Sequence, residues 1–293
     1  MKRMLLVVNP CAGTKKANRK LVDIISVFNR AGWEVSTYVT GAPGDGGEQV
    51  CKQAENVDMV VCCGGDGTFN EMVTGVLKSG ANVPVGYIPA GSTNDFATSL
   101  KIPMDNLKAA KRITEGQIRQ YDVGQFGDRY FSYVASFGAF TKASYSTPQN
   151  VKNALGYTAY VLDGIQELTQ IRKEHVRFEL DGEVVEDDFL FGAICNSTSV
   201  AGILTLDPKQ VDLCDGKFEV MLVRAPKEIG EISECIQAVQ KQTYNCRMIT
   251  FRSASQIKIT ANPEMPWTLD GEREDGHQEV EVKNLHKAIA FVQ

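Results

Sequence analysis

A glycine-rich stretch at residues 60–73, "VVCCGGDGTFNEMV", has the residue types of a phosphate site. Glycine lets the backbone approach phosphate oxygens closely, and the N-terminus of a following helix offers unpaired N–H groups to an anion. Asp66 alone would repel phosphate, but a metal ion held between the carboxylate and the phosphates removes that objection. The stretch therefore indicates a site for phosphate together with a divalent metal.

The same stretch also has a purely structural interpretation. Thr68 followed by Glu71 has the spacing of a capping box, in which the two side chains begin a helix near Thr68. The two interpretations are compatible, and one glycine-rich turn does not decide between them.

Small and polar residues also follow three other predicted strands. Asn9-Pro10-Cys11-Ala12-Gly13-Thr14 follows the first strand, Thr40 ends the second, and Gly91-Ser92-Thr93-Asn94-Asp95 follows the fourth. Ligands of open parallel sheets bind at the carboxyl ends of the strands, so these residues are expected on one rim. The chain has no Walker A, G-x-G-x-x-G or kinase H-R-D and D-F-G pattern. The sequence therefore predicts a nucleotide cleft of another kind.

The elements that must position this rim alternate along the first part of the chain. Strands are predicted at 5–9, 33–40, 58–63 and 83–89, and helices up to about Gly32, at 46–56, at 68–78 and from about Thr93. Alternating strands and helices imply a mostly parallel sheet that is covered on both faces.

After Asp122 the sequence changes to short strand-like runs with helical segments near 152–171 and 227–242. Asp181-Gly182 and Asp270-Gly271 have the composition of tight hairpin turns. This part of the chain is therefore predicted to be mostly antiparallel β structure.

The length of 293 residues favours two domains over a single core. We predict a nucleotide-binding α/β domain at 1–122 and a β-rich acceptor domain at 123–293, whose last residues could pack back on the first domain.

Composition and charge exclude some classes of protein. A net charge of -5 argues against a nucleic-acid binder and against general adhesion to anionic membranes. None of the eight cysteines has C-x-x-C spacing, which argues against a zinc knuckle or a redox pair and is typical of a reducing cytosol. The apolar run near the start is too short for a signal peptide or a membrane span.

Four ordered motifs resemble the bacterial diacylglycerol kinase and lipid kinase family, to which sphingosine and ceramide kinases are related. They are N-P-x-x-G at 9–13, G-G-D-G-T at 64–68, G-S-T-N-D-F-A at 91–97, and the later pair D-G-K-F and L-D-G-E. G-G-D-G-T alone is shared with NAD kinases, so the ordered set is the more specific signal.

The resemblance implies an N-terminal Rossmann-like α/β domain, a C-terminal mostly antiparallel β-sandwich domain, and ATP in the cleft between them. It further implies a nucleotide site lined by residues of all four strand ends, namely Asn9, Pro10, Cys11, Ala12, Gly13, Thr40, Gly64, Gly65, Asp66, Gly67, Thr68, Phe69, Asn70, Ser92, Asn94 and Asp95.

The resemblance also assigns roles in catalysis. Asp66 would act on the catalytic Mg²⁺, and Asp95 and Asp122 would join a carboxylate network behind it. Asp270 and Glu272 match the segment that carries the family's catalytic base, and the sequence leaves open which of them takes the proton. The alternative for Asp270 is a plain hairpin turn.

A second metal site is implied at 211–220, "VDLCDGKFEV". There the side chain of Asp215 and backbone carbonyls near Asp212 and Lys217 would bind a structural Mg²⁺, a ligand set that suits a hard cation. The alternative is a charged turn before a strand.

Three departures from the family pattern concern the ligands. Ala12 stands where Ser is common in the family, and Ser92 stands where Thr is common. Residues 199–208 contain fewer glycines than the matching family segment, so the resemblance does not define the acceptor pocket. The helical stretch 155–171 is a candidate wall for acyl chains, although ordinary core is the favoured interpretation.

The sequence therefore predicts a cytoplasmic, ATP- and Mg²⁺-dependent lipid kinase that meets its lipid transiently at the inner membrane face. The first acceptor to consider is diacylglycerol, which would give phosphatidic acid. The alternatives are an NAD kinase or other small-molecule kinase, and a non-catalytic nucleotide-binding regulator. The oligomeric state is left open, with a homodimer as one possibility.

Overall fold

A computed structural model of the protein describes residues 1–13, 19–92, 94–138, 172–200, 204–205, 211–241, 244 and 246–293. The predicted helix near 152–171, with its candidate acyl-chain wall, lies outside these residues, as does most of the segment 199–208. Within the described parts of the chain, no helix is long and apolar enough to cross a membrane.

The chain forms two compact units. Unit 1 comprises Met1–Val123 and Leu285–Gln293, and unit 2 comprises Gly124–Asn284. Unit 1 is thus discontinuous in sequence, and its final segment comes from the end of the last strand.

Unit 1 is built on a parallel sheet. Its strands are β1 (Lys2–Val8), β2 (Trp33–Val39), β3 (Met59–Gly64) and β4 (Val85–Pro89), in the order β4-β3-β1-β2. All residues of β3 and β4 are buried, as is usual where helices cover both faces of a parallel sheet. The predicted α/β fold of this part of the chain is therefore confirmed.

Five helices of unit 1 are described, together with a short 3₁₀ turn at Ala54–Asn56. They are α1 (Leu21–Arg30), α2 (Asp45–Gln53), α3 (Asp66–Ser79), α4 (Asp95–Ser99) and α5 (Asn106–Glu115). On α1, Ile24 and Phe28 are buried at a spacing of four residues, which is the spacing of one helix face. These two side chains thus form the buried side of the helix.

Packed aromatic rings form the centre of unit 1. The ring of Phe69 lies 4.7 Å from that of Tyr87 and 4.6 Å from that of Phe96. Phe291, near the end of the chain, packs edge-on against Phe69 at 5.9 Å and against Phe96 at 5.8 Å. The backbone of Phe291 pairs with Val85 of β4 in parallel orientation. The final residues of the chain therefore complete both the sheet and the core of this unit.

Unit 2 is antiparallel. Its strands are β5 (Ile118–Phe126, which begins in unit 1), β6 (Arg129–Phe131), β7 (Val134–Gly138), β8 (Glu174–Leu180), β9 (Glu183–Cys195), β10 (Ser199–Val200), β11 (Leu204–Thr205), β12 (Phe218–Arg224), β13 (Ile249–Ala254), β14 (Gln256–Ala261), β15 (Trp267–Leu269), β16 (Glu272–Glu274) and β17 (Glu279–Val292, which ends in unit 1). Helix α6 spans Ile229–Gln240.

The strands of unit 2 run in the order β16-β15-β7-β9-β8-β14-β17, and β12 pairs with both β9 and β13. These pairs are antiparallel. The two predicted Asp-Gly turns join β8 to β9 and β15 to β16, with φ positive at both positions of each turn, which is the geometry of a tight hairpin. The predicted antiparallel β-rich second domain is therefore confirmed.

Alternation along the strands builds the core of unit 2. On β8, Val176, Phe178 and Leu180 are buried, whereas His175 is exposed and the residues at 177 and 179 are partly exposed. The rings of Phe126 and Phe137 each lie 4.9 Å from the ring of Trp267 on β15. Burial of one such side chain contributes about 1.5–3 kcal/mol, so the strand that leads into the Asp270 turn is firmly held.

Candidate active site

The glycine turn after β3 packs directly against the loop after β4. The carbonyl of Gly64 accepts a hydrogen bond from the amide of Ala90 at 2.7 Å. A Cβ atom on Gly91 would lie 2.6 Å from the Cα atom of Gly65, and one on Gly64 would lie 2.7 Å from the Cβ atom of Thr68. Close packing is thus one physical reason for these glycines, between the two loops at Gly65 and Gly91 and within the turn at Gly64.

The loop after β1 joins the same contact. Gly13 has φ of +49°, and a Cβ atom there would lie 2.4 Å from the carbonyl oxygen of Ala90. The amide nitrogen of Asn9 donates to the carbonyl of Cys63 at 3.0 Å, and its side chain donates to the Thr68 hydroxyl at 2.8 Å. The ends of β1, β3 and β4 are therefore tied into one rim by hydrogen bonds.

Thr40 ends β2 on the same rim, where its amide donates to the carbonyl of Val8 at 2.9 Å. Pro10, Cys11 and Ala12 lie in the partly exposed loop after Asn9. The Cys11 amide donates to the Asn9 side chain at 2.9 Å, which fixes the start of that loop.

The capping-box interpretation of Thr68 and Glu71 is wrong. Helix α3 begins two residues earlier than predicted, with Gly65 as its N-cap residue. Thr68 is therefore inside the helix, where its hydroxyl accepts from Asn9, and Glu71 accepts from the amide of Gly44 at 2.8 Å. Since glycine has no side chain to cap the first-turn amides, these groups suit an anionic ligand.

Asp66 is the first residue of α3 and is 9% exposed. Its carboxylate accepts from the amides of Asp95 at 3.1 Å and Phe96 at 3.4 Å, and the Tyr87 hydroxyl lies 3.5 Å away. The side chain therefore stands at the N-termini of both α3 and α4, where the helix dipoles favour a negative charge.

Asn94 shapes the loop after β4. Its φ of 54° lies in the left-handed region, which Asn tolerates better than most residues. Its side chain accepts from the amide of Gly91 at 2.8 Å and donates to the carbonyl of the same residue at 3.0 Å. Ser92 is exposed in this loop. Asn94 itself is 7% exposed, and its hydrogen bonds to Gly91 stabilise the loop.

Phe69 differs from its predicted role. It was expected to line the nucleotide site, but its side chain is 1% exposed and packs in the aromatic core of unit 1. Its neighbours Gly67, Thr68 and Asn70 also lie in the first turns of α3. The amide of Phe69 donates to the carbonyl of Gly65 at 3.0 Å, so this residue contributes to the helix and to the core rather than a side-chain contact to a ligand.

Asp122 on β5 is held by the last segment of the chain. Its carboxylate accepts from the amide of Lys287 at 2.7 Å and lies 3.1 Å from Nδ1 of His286. Across the described residues, no three His, Cys, Asp or Glu side chains group closely enough to hold a metal ion by themselves. Mg²⁺ usually takes one or two carboxylates, substrate phosphates and water, and Asp66 at the rim fits that requirement.

Asp270 in unit 2 is held by backbone amides. It is 4% exposed, with φ of 50°. Its carboxylate accepts from the amides of Ser132, of Tyr133 at 2.9 Å and of Val134 at 3.0 Å. Amide donors stabilise the ionised carboxylate, and they fix its orientation at the hairpin turn.

Glu272 has a different setting. Its side chain is 47% exposed, and the guanidinium of Arg129 lies 3.4 Å from it. The same guanidinium pairs with Glu274 at 2.6 Å, and His277 lies 3.2 Å from Glu274 on the other side. The two candidates for the base thus differ in that Asp270 is buried and fixed, whereas Glu272 is in a half-exposed ion pair.

The turn at Asp212–Lys217 concentrates negative charge. The carboxylates of Asp212 and Asp215 accept from the amides of Cys214 at 3.1 Å and Lys217 at 2.9 Å, as in charged turns. Burial, followed by the charge of Asp215 and then that of Asp212, raises the pKa of Glu219 to about 8. A cation at this turn would relieve the repulsion, so the residues fit the ligand set expected for a structural Mg²⁺.

If Asp215 binds such a cation, EDTA should lower the melting temperature of the wild-type protein by a few degrees, since a ligand of the native state adds about 1–3 kcal/mol at saturating concentration. Asp215→Asn keeps an acceptor for the Lys217 amide but should melt lower and respond little to EDTA. Asp275→Ala, whose side chain is 91% exposed in the same unit, is the control. Equal EDTA responses in all three proteins would leave only the turn.

Sequence reasoning missed several residues that support these sites. Tyr87 carries the one hydroxyl of the buried strand β4, and this isolated polar group could have drawn attention to it. Arg129 gave no local signal, because its carboxylate partners are more than 140 residues away in the chain. The backbone donors at 132–134 have no signature in side-chain types at all.

Comparison with known families accounts for both units. Residues 3–126 match the model of the diacylglycerol kinase catalytic domain, and residues 134–292 match the model of the YegS C-terminal NAD kinase beta sandwich-like domain. A curated diacylglycerol kinase from Bacillus subtilis (strain 168) is 32% identical over 294 aligned residues, which cover 100% of this chain and 96% of that protein. One from Staphylococcus aureus (strain MRSA252) is 33% identical over 92% of this chain and 86% of its own length.

Solved structures share the fold. A crystal structure of a diacylglycerol kinase from Bacillus anthracis strain Sterne superposes with a TM-score of 0.76 at 22% identity, covering 99% of this chain and 96% of that one. A second structure from the same organism gives a TM-score of 0.82 at 24% identity and covers 99% of this chain and 95% of that one.

The fold and the matched catalytic domain define a lipid kinase, a phosphotransferase with an alcohol group as acceptor. The resemblance drawn from the four sequence motifs is thereby confirmed. The chain belongs to the diacylglycerol kinase family.

Proposed function

We propose that this enzyme transfers the γ-phosphoryl group of ATP to the free hydroxyl of diacylglycerol, with Mg²⁺ as the metal, and so forms phosphatidic acid. The acceptor is suggested by the curated relatives, which carry this name and align with nearly the whole chain. The observation that carries the chemistry is Asp66, a nearly buried carboxylate at a helix N-terminus on a rim of glycine turns.

The rim would hold the nucleotide. Helix α3 begins after Gly65, which has no side chain to accept from the first-turn amides, so these N–H groups suit an anionic phosphate. The Asn9 and Thr68 side chains hydrogen-bond to each other, which fixes the polar groups on this side. In the proposal these groups orient the phosphates, because phosphoryl transfer depends chiefly on positioning and charge neutralisation.

Asp66 would hold the metal. Bound Mg²⁺ would supply charge neutralisation on the transferring phosphoryl group. The amides of Asp95 and Phe96 restrain the carboxylate before any ligand arrives, so it loses little conformational freedom on binding the ion. Asp95 and Asp122 are proposed as supporting carboxylates rather than as ligands.

Asp270 is proposed as the base that receives the proton of the lipid hydroxyl. Three backbone amides hold its buried carboxylate in one orientation, so a proton acceptor would be positioned before the substrate binds. The hydroxyl loses its proton only as the new bond forms, so a weak base in the correct position is sufficient. Glu272 in its ion pair with Arg129 would instead steady the turn.

A second candidate is an NAD kinase or another small-molecule kinase. It is favoured by the G-G-D-G-T motif and by the NAD kinase-like description of the second domain model. A non-catalytic nucleotide-binding regulator would need neither Asp66 nor Asp270, and both are present and held by hydrogen bonds.

The proposed place of action is the cytoplasmic face of the membrane, to which the enzyme would bind peripherally and transiently. Burial of acyl chains contributes about 0.8 kcal/mol per CH₂ group, which could supply the affinity for a lipid presented in a bilayer. We place the acyl-chain path in unit 2, because the rim of unit 1 is assigned to the nucleotide.

A comparison of phosphoryl acceptors tests whether the enzyme is a lipid kinase that acts on diacylglycerol. We expect activity on diacylglycerol in mixed micelles to fall as the acyl chains are shortened, and glycerol and NAD to be nearly inert, since both lack the apolar contacts. ATP consumption measured for diacylglycerol, phosphatidylglycerol, ceramide and NAD under one set of conditions gives the ranking. If NAD or a free sugar is phosphorylated faster than any lipid, the small-molecule kinase takes the place of the lipid kinase.

A further inference from the structure

Two cysteines of unit 2 lie close to each other. Cys235 is on α6, and Cys246 is in the segment that leads into β13. The Cys246 thiol lies near enough to the Cys235 thiol to raise its pKa, and both residues are free cysteines and partly exposed. The sequence did not reveal this pair, because its spacing is far from C-x-x-C.

An ion pair joins the residues that are next to the two cysteines in the chain. Arg247 follows Cys246 in the chain, and Glu234 precedes Cys235. The amide of Arg247 donates to one carboxylate oxygen of Glu234 at 3.2 Å, and its Nε donates to the other at 3.1 Å. Two hydrogen bonds therefore join α6 to the segment before β13, and each cysteine is adjacent in the chain to one of the two bonded residues.

Arg224 adds a second connection. Its guanidinium donates to both carboxylate oxygens of Glu231, and its Nε donates to the carbonyl of Arg247 at 2.9 Å. The Arg224 and Glu231 side chains are only 16% and 5% exposed. Since Glu231, Glu234 and Cys235 share one helix face by their spacing, this face of α6 is held against residues 246–248.

We propose that Cys235 and Cys246 form a reversible disulfide site that locks α6 to the segment before β13. The co-reactant is a low-molecular-weight disulfide, RSSR. One protein thiolate attacks a sulfur of RSSR and expels RS⁻, and the second attacks the protein sulfur of this mixed disulfide and expels another RS⁻. The leaving groups take up the two thiol protons, so two protein thiols and RSSR become one protein disulfide and two RSH.

The acidity of Cys235 sets the pH dependence of the reaction. Burial, together with the neighbouring Cys246, raises the pKa of the Cys235 thiol to about 12. Because the thiolate is the nucleophile, Cys235 must ionise whichever thiol attacks RSSR first. The disulfide therefore forms slowly near neutral pH and faster at higher pH, so the site responds to sustained oxidation.

Oxidised glutathione is the probe, applied to the reduced full-length protein. We expect the intact mass to fall by two hydrogen atoms and two of the eight cysteines to become unreactive toward a thiol reagent under denaturing conditions. Peptide mapping should link Cys235 to Cys246, and dithiothreitol should reverse the change. The melting temperature should rise by several degrees, since the cross-link restricts the unfolded chain.

Two variants complete the test. Cys235→Ser should stop at a glutathione adduct on Cys246, whereas Cys51→Ser, which removes another partly exposed cysteine, should form the link like the wild type. The mapping of the wild-type protein decides the proposal even if Cys235→Ser folds poorly. The proposal fails if the oxidised wild-type protein keeps eight thiols, carries only glutathione adducts, or links a different pair.

Discussion

Asp66→Asn is expected to lower kcat by ~10²–10⁴-fold, because it removes a charge that would hold the metal. Since each 1.36 kcal/mol of lost transition-state stabilisation lowers the rate tenfold, this corresponds to a loss of about 3–5 kcal/mol. The amide keeps the size of the side chain and one acceptor for the start of α4. The measurement is turnover per folded molecule, with circular dichroism and thermal melting on the same sample.

Asp105→Asn is the matched control for this variant. Asp105 also caps a helix of unit 1, where its carboxylate accepts from the amides of Leu107 at 3.1 Å and Lys108 at 3.0 Å. If Asp66 were only a cap, both variants would lose about 0.5–2 kcal/mol of stability or less and keep their activity. A folded Asp66→Asn protein with wild-type turnover would contradict the metal assignment.

Asp270→Asn is expected to lower kcat by ~10²–10⁴-fold while the KM for ATP changes little, because loss of a general base affects the chemical step and leaves nucleotide binding in place. The variant also places an amide group against the donors at 132–134, so some stability is lost, on the order of 1–3 kcal/mol. Steady-state kinetics below the melting transition separate the two effects.

The chain offers a close control in Asp181→Asn. Asp181 also precedes a glycine in a hairpin of unit 2, has φ of 47°, and accepts from the amides of Ser255 and Gln256, each at 2.9 Å. It reproduces the loss of a carboxylate held by amides without touching the candidate base. Glu272→Gln should cost less activity than Asp270→Asn, and the reverse order would move the base to Glu272.

Periodicity predicted much of the fold because it reflects burial. The apolar runs of β1, β3 and β4 and the Asp-Gly turns at 181 and 270 were recognisable, since each is a local requirement of the backbone. The helix predicted from about Thr93 is in fact two helices, α4 and α5. The start of β5 at Ile118 was missed, because residues 118–120 are all exposed and show no alternation of burial. The local sequence does not show with which other strands a strand will pair in the folded sheet.

The candidate site was predictable to the extent that it depends on residue type. Asp66 and Asp270 could be named from their motifs. The backbone amides that hold both carboxylates could not be predicted, because they come from other segments of the chain. The capping-box error has the same cause, since Thr68 found a tertiary partner in Asn9 that the local pattern could not show. Contacts between distant segments, such as the thiols of Cys235 and Cys246, likewise require the fold.

The final segment of the chain has a consequence for genetics and protein dissection. Leu285–Gln293 belongs to unit 1, and Phe291 is fully buried among its aromatic rings. A nonsense codon just after Asn284 would thus spare every residue of unit 2 and damage the N-terminal domain, where loss of a buried Phe alone costs about 3–5 kcal/mol. Expression of the N-terminal domain by itself would need residues 1–123 joined through a linker to 285–293, because no single cut in the gene separates the two units.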